Sequence, residues 1–309
     1  YRAAVCEQVE DPKKAKGIVR REVTRVVTPG TLTDDALLDP RESNYLAAVV
    51  PGDLTGVAWV ELSTGRFLAA AFPAAQVADQ LARIGPAECL VSDEAPPLPA
   101  TIAEKSTVSR RPEWAFALTL ARENLGRQFG VNSLEGFGFG ESVEDKAAIR
   151  AAGAIVDYLK ETQRTSIEHI DRLLPYRPGT TLEIDQATRR SLELTRTLRD
   201  GRREGSLLAV LDRTTTAMGS RLLADWLSNP LTDLAAIRAR HAAVAELLEK
   251  PALCDELRDA LSKVYDIERL LARVTTGRAS PRDLSFIGRT LRNLPGLKAK
   301  LTARRSALL

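Results

Sequence analysis

LEIDQATRRSLELTRTLRDGRREGSLLAVLDRTTTAMGSRLLADWLSNPL, residues 182–231, is the stretch whose reading decides the fold. Ile184, Ala187, Ser191, Leu194 and Leu198 recur at three- and four-residue spacing, which predicts one apolar helix face opposite Arg189, Arg190, Glu193 and Arg196. Asp185 is the natural N-cap, because a short carboxylate accepts an amide of the first turn that has no helical partner. After the polar break 200–205, Ser206 opens a second helix with Leu207, Leu208 and Leu211, and the β-branched run Thr214, Thr215, Thr216 disfavours its continuation. A third helix restarts at Ala217. Its stripe of Met218, Leu222, Leu223, Trp226 and Leu227 is expected to face a core, with Trp226 inside it, and Gly219 to permit close helix approach. Pro230 prevents extension.

Periodicity alone describes three packed helices, and an anonymous helical bundle fits it equally well. The wording is more specific. D-x-A-T-R-R-x-L-E-L over 185–194, then G-S-L-L-x-V-L-D-R-T-x-T-A-M-G-S-R-L-L over 205–223, closely resembles the core domain of the MutS family of DNA mismatch repair proteins. About thirty positions in fixed order outweigh any short motif.

At 309 residues, two domains are expected, and 44% hydrophobic with 28% charged residues is ordinary for a soluble globular protein. No apolar run approaches the ~18 residues of a membrane span, and no secretory signal opens the chain. Beginning at Tyr1 inside apparent structure, the sequence reads as an excised piece of a longer protein. Cys6, Cys89 and Cys254 are too far apart for a zinc knuckle, which predicts a reducing, cytoplasmic setting and no metal site. Formal net charge is 0 over 1–43, −5 over 44–172 and +8 over 173–309, so a nucleic-acid face is not expected on the middle segment.

In chain order, 2–9 reads as a strand, 10–17 as a loop, and Ile18, Val19, Val23, Val26 and Val27 as a β-rich segment ended by Pro29-Gly30. Between Lys13 and Arg25 stand six basic residues and one acidic, Glu22. The runs C-E-Q-x-x-D-P, G-x-V-x-R-x-V-x-R-x-V-T-P-G-T and D-x-x-L-L are similar to the end of the MutS mismatch-recognition domain. The resemblance implies a DNA-contacting arginine at Arg21, with Arg20 and Arg25 as neighbours, and sets the family's aromatic-x-Glu wedge upstream of Tyr1. The plainer alternative is edge-strand charges that blunt aggregation.

From Tyr45 the pattern turns to strands at 45–50, 57–62 and 66–72, an antiparallel meander. Helix 76–84, strand 88–92, strand 107–114, helix 116–129 and a long helix 142–162 follow, the last with Ala148, Ala152, Ile155, Val156 and Leu159 on one face. This α/β order resembles the ribonuclease H-like connector domain of MutS. It raises a nuclease alternative, which needs several carboxylates around two divalent metals. The first strand has none, and Asp53, Glu61 and Asp93 assure no cluster. G-F-G-F-G at 136–140 lacks the Lys-Ser/Thr of a phosphate loop. His241, at helical spacing with Leu234, Ile237, Val244 and Leu248, is expected to be a half-buried structural histidine, and His169 to be exposed.

Residues 166–182, polar and holding Pro175 and Pro178, read as a hinge. Helices continue beyond Asp233, Leu253, Ile267 and the Ser280-Pro281 cap, with Leu284, Ile287, Leu291 and Leu294 as the last stripe. The runs D-I-E-R-x-L-A-R and R-A-S-P-R-D-L are again similar to the MutS core. The expected fold is multidomain, α/β plus all-α. A small β-rich remnant (1–43) precedes the ribonuclease H-like connector (44–165), a linker (166–182) and a truncated helical core (183–309). The resemblance implies a mismatch sensor that binds mismatched duplex DNA and signals through ATP. Its implied partners are a second copy and, through the connector, a MutL-like protein. ATP and magnesium belong to the full-length relative, with no cofactor site, catalytic residue or ATPase domain expected here. A helical interaction scaffold unrelated to DNA is the third alternative.

Overall fold

The computed structural model describes residues 2–11, 13, 17–34, 36–177 and 179–309. Pro178 of the hinge, Lys14 and Lys16 of the basic run, and Tyr1 lie outside the described residues. The chain divides into two compact units. The first comprises 1–38, 44–176 and 272–278; the second comprises 39–43, 177–271 and 279–309.

In the first unit, β1 (Ala3–Gln8) and β2 (Arg21–Val27) form a two-stranded antiparallel ribbon with a register shift between Val5 and Cys6. A six-stranded mixed sheet follows. β3 (Tyr45–Val50), β4 (Leu54–Glu61) and β5 (Arg66–Pro73) are the meander, and β6 (Glu88–Ser92), β7 (Thr107–Arg111) and the short β8 (Leu174–Pro175) complete the order β7-β6-β3-β4-β5-β8. β6 joins β3 in parallel, and β7 joins β6 in parallel. α1 (Val77–Ile84) and the short α2 (Ala100–Ala103) help bury one face around Trp59, Phe72 and Leu81. α3 (Leu118–Phe129) and α4 (Val143–Gln163) cover the other around Leu46, Phe67 and Ile155. With both faces covered, β3 is apolar at every inward and outward position, as a central strand must be.

Two glycines set the depth of α4. A Cβ on Gly56 would fall 2.0 Å from the Ala147 carbonyl oxygen, and one on Gly153 would fall 2.2 Å from the Ala121 Cβ. α4 thus seats directly on β4 and α3. Ser142 caps it by accepting from Asp145 N. Ile167, Ile170 and Leu173, assigned to the hinge by the sequence reading, are buried in the core beside α4, and β8 pairs with β5. The polarity of 166–182 hid three apolar anchors.

The second unit is helical: α5 (Gln186–Ser191), α6 (Leu207–Leu211), α7 (Ala217–Ser228), α8 (Leu234–Leu248), α9 (Pro251–Leu261), α10 (Ile267–Thr275, whose last turn belongs to the first unit) and α11 (Pro281–Leu301). Asp185, Ser206, Thr216, Asp233 and Ser280 each accept a first-turn amide. Three expectations are corrected. The helix from 184 to 198 stops at Ser191, because Glu193 adopts a left-handed φ of 46° and the carbonyls of Glu193 and Leu194 accept the amides of Leu207 and Leu208. Tertiary backbone bonds replace the helical ones. Gly219 accommodates its own cap, since the atoms nearest a Cβ there would be those of Thr216 and Thr214.

The third correction concerns which face of α7 is inside. Trp226 is 40% exposed and Leu222 47% exposed, while Ser220 and Arg221 are buried. The Arg203 guanidinium bonds to Asp212 and Ser220, and Ser220 donates to Asp212. Arg221 donates to Asp266 at 2.6 and 3.0 Å, to Glu268 at 2.7 Å and to the Pro40 carbonyl at 2.9 Å. Arg269, 3% exposed, donates to the carbonyls of Asp39 and Glu42. A polar network occupies the interior, and the Trp226 ring instead lies 3.7 Å from the Arg240 guanidinium carbon in a cation–π contact. Leu284, Leu291 and Leu294 of α11 are exposed in the same way, with Thr290 buried.

Candidate nucleic-acid interface

The ribbon carries the three arginines singled out in the sequence, and the structure gives each a different setting. Arg21 opens β2 opposite Gln8, with its side chain exposed. Arg20, just before the strand, is paired with Glu22, so its charge is locally offset. Arg25 lies opposite Val5 beside the register shift and is half-buried. The extra residue there, Thr24, donates to the Val5 carbonyl. Two contacts tie the ribbon down: Arg2 donates to Ser109 Oγ at 2.7 Å, and Arg164 donates to the Val23 carbonyl at 2.8 Å. Arg21 and Arg25 share the ribbon with Glu7 and Glu22, which pair across it, so the exposed Arg21 is the position suited to a phosphate contact, which depends on charge and position and not on base identity.

A buried carboxylate organises the base of this region. Glu88, fully buried in β6, accepts from Thr28 Oγ1 at 2.5 Å and Gly30 N at 3.0 Å on one oxygen, and from Ser109 Oγ at 2.5 Å and Tyr158 Oη at 2.8 Å on the other. Four donors from the turn after β2, from β7 and from α4 compensate the desolvated charge. Burial, followed by the Glu88 charge, pushes the Tyr158 hydroxyl up to about 12. No local pattern marks it, because its partners lie up to 70 residues away.

The other candidates separate. Glu61 closes β4 at the end of the sheet opposite Asp53, roughly 25 Å away along an eight-residue strand, so the carboxylates of the nuclease reading do not converge. Glu61 is buried and accepts from Ser63 Oγ at 3.1 Å. Among the described residues, no three His, Cys, Asp or Glu side chains are placed to hold one metal ion. The glycine loop does not fit ATP or magnesium either. Phe139 is in the core, Phe137 packs on Phe129, and Gly140 N already donates to Asp145 Oδ2 at 2.8 Å, an anion supplied by the chain itself. Both histidine expectations are reversed. His169 is half-buried with Nε2 2.7 Å from the Leu62 carbonyl, and burial lowers its pKa. His241 is exposed on α8, because the apolar spacing it shared with Val244 and Leu248 lies on an uncovered face.

The comparisons follow the same order along the chain. Family models match as MutS domain I over residues 1–36, MutS domain II over 44–171 and MutS domain III over 187–309. The chain belongs to the MutS family. It is 52% identical to the DNA mismatch repair protein MutS of Rhodopirellula baltica, over 100% of this chain and 37% of that protein. Against the MutS proteins of Symbiobacterium thermophilum and Myxococcus xanthus it is 43% identical in each case, over 97% and 100% of this chain and 35% of each of theirs. The chain thus spans little more than a third of the length of the MutS relatives it matches. The ribbon falls within the MutS domain I match, and the six-stranded sheet, except for β8, within the MutS domain II match. Among the described residues, no helix is long and apolar enough to cross a membrane.

Proposed function

We propose that this chain supplies the DNA-facing, connector and core portions of a mismatch-repair sensor that binds mismatched duplex DNA and couples recognition to ATP-driven signalling. The ordered run of MutS domain I, II and III matches along one chain carries this reading, together with the exposed arginine of the ribbon. Residues 1–43 are then the end of the mismatch-recognition domain, 44–165 the connector, 166–182 a linker whose first half, through Ile167, Ile170, Leu173 and β8, packs with the connector, and 183–309 the helical core. A ribonuclease H-like connector is supported by the antiparallel meander extended in parallel by β6, with helices on both faces. Arg21 is the phosphate contact, with Arg20 and Arg25 secondary. A cytoplasmic setting, a second copy and a MutL-like protein docking on the acidic middle segment complete the proposal. ATP and magnesium belong to the whole sensor, and no step through them is assigned to the residues described here.

Charge attraction without base readout predicts weak binding, with dissociation constants of about 10⁻⁶ to 10⁻⁴ M near physiological salt, equal for paired and mispaired duplexes. The test is a titration of the 309-residue chain with both oligonucleotides. Equal, salt-sensitive binding weakened by Arg21→Ala is expected. Absence of any binding at low salt overturns the DNA-facing assignment, and a tenfold preference for the mispair, worth about 1.4 kcal/mol, overturns the phosphate-only one.

A further inference from the structure

Two more cations, Arg164 and Arg278, join Arg25 where the ribbon meets α4, and none of the three has a carboxylate partner among the described residues. Arg278, just after α10, donates from one guanidinium nitrogen to Thr33 Oγ1 at 2.5 Å and from another to Gln163 Oε1 at 2.9 Å, both neutral acceptors. The next residue, Arg164, ends α4 with a left-handed φ of 50°, unusual for a side chain of its size, and reaches the Val23 carbonyl. Arg25 stands two residues further along β2. Desolvation, then the neighbouring Arg25 charge, lowers the pKa of Arg278, and burial with a smaller effect of the Arg278 charge depresses His169. Folding here brings positive groups together at a partly dry spot.

Such an arrangement is costly in the absence of an anion. Arginine is weakly hydrated and offers a planar fork that matches two phosphate oxygens. Arg278 is oriented by Thr33 and Gln163, and Arg164 by Val23, so both forks are fixed before any ligand arrives. In the sequence, Arg278 opens the run R-A-S-P-R-D-L that is similar to the MutS core.

We propose that Arg25, Arg164 and Arg278 form a preorganised seat for one backbone phosphate of duplex DNA, distinct from the contact at Arg21. The seat rests on the DNA-facing reading of the ribbon and adds a fixed anchoring point to it. A duplex phosphodiester is favoured over a free phosphate ion because the seat continues along the strand that carries Arg21.

The experiment measures duplex affinity of the whole chain against salt for Arg25→Gln, Arg164→Gln, Arg278→Gln and Arg21→Ala, with Arg122→Gln, whose partner is Glu141, as the remote control. Each seat variant should lower the slope of log affinity against log salt by about 0.9, the value of one phosphate contact. The double variant Arg164→Gln/Arg278→Gln should lose little more than either single one, because both hold the same phosphate, whereas adding Arg21→Ala should lower the slope again. If Arg278→Gln unfolds, Arg278→Lys, which keeps the charge but not the fork, should weaken binding with less change in slope. Unchanged slopes for the seat variants beside a reduced slope for Arg21→Ala overturn the seat and leave the ribbon reading standing. If no variant binds duplex differently, a second arm decides. Thermal stabilisation by inorganic phosphate over chloride at equal ionic strength, lost in Arg278→Gln, supports a free-anion seat and overturns the duplex assignment; no stabilisation overturns the seat altogether.

Discussion

The two units solve burial in different ways. In the α/β unit, the run Leu46 to Val50 is buried residue by residue, and Ile149, Ile155 and Leu159 of α4 pack in the same core. In the helical unit, Leu208, Leu257 and Leu270 share the interior with Ser220, Arg221, Glu246, Arg269 and Thr290, while Leu222, Trp226, Leu248 and Leu284 face outward. A sheet covered on both faces leaves no choice of orientation for its central strand, so apolar character places β3 there, with Glu88 and Glu61 as buried polar exceptions in the neighbouring strands. A helix has a choice. Its period locates the helix without saying which stripe is inside, and an interior built on ion pairs and carbonyl contacts reverses the usual answer.

The sharpest way to break this contrast is to empty each interior. Ile155→Ala, a cavity in the fully buried core, should cost about 2 to 5 kcal/mol in the α/β transition. Arg221→Ala strands Asp266 and the Pro40 carbonyl and should cost roughly 3 kcal/mol in the helical one, at the low end for a buried pair because Glu268 is half exposed. Denaturant unfolding followed by Trp59 and Trp226 fluorescence reads both. An Arg221→Ala loss below 1 kcal/mol would mean the polar interior carries no stability.

Opposite pH limits should follow. Burial alone would raise the Asp212 carboxyl, but hydrogen bonds from Ser220 and Thr214 with the Arg203 charge hold it at about 2. Its folded pKa is below the ordinary 3.8, so its stabilisation is full above that value and is lost as pH falls towards 2. In the α/β unit, burial pushes the Cys89 thiol and the Tyr158 hydroxyl up to about 12 from ordinary values of 9.0 and 10.0. Both favour the neutral form, so their contribution is full below about 9 and is lost as pH climbs towards 12. Melting curves across pH should show the helical unit failing first in acid and the α/β unit first in alkali. Tyr158→Phe should flatten the alkaline limb, and an unchanged limb would remove Tyr158 from that role.

The smallest effect is the most discriminating for the helical unit. Trp226→Ala should cost only about 0.5 to 1 kcal/mol, the worth of an exposed cation–π contact with Arg240, where a core tryptophan would cost about 3 to 5. Measured loss at the upper figure would put the Met218–Leu222–Trp226 stripe back inside.

What was legible in the sequence was local. Caps at Asp185, Ser206 and Ser280, the Pro281 helix start and the meander all depend on neighbours a few residues apart. What was not legible depended on distant partners. Arg221 reaches Pro40 across 181 residues, Arg278 reaches Thr33 across 245, and Glu88 gathers donors from three separate segments. The early end of α5 has the same origin, since Leu207 and Leu208 take the carbonyls a longer helix would have used. Of the candidate site, the run in the sequence located Arg20, Arg21 and Arg25 on one segment, but the pairing of Arg20 with Glu22 and the company around Arg25 required the fold.

The central claim, that the β1–β2 ribbon is the face presented to DNA, has a direct probe in Cys6. This thiol is exposed on β1 opposite Val23, between the positions of Arg21 and Arg25, while Cys89 is buried and Cys254, half-buried on α9, is an internal reference. Alkylation of Cys6 should slow severalfold when low-salt duplex DNA is added. Cys254 should react at an unchanged rate, and the protection should disappear at high salt and in Arg21→Ala. A Cys6 rate that stays the same under saturating duplex would contradict the ribbon as the DNA-facing surface.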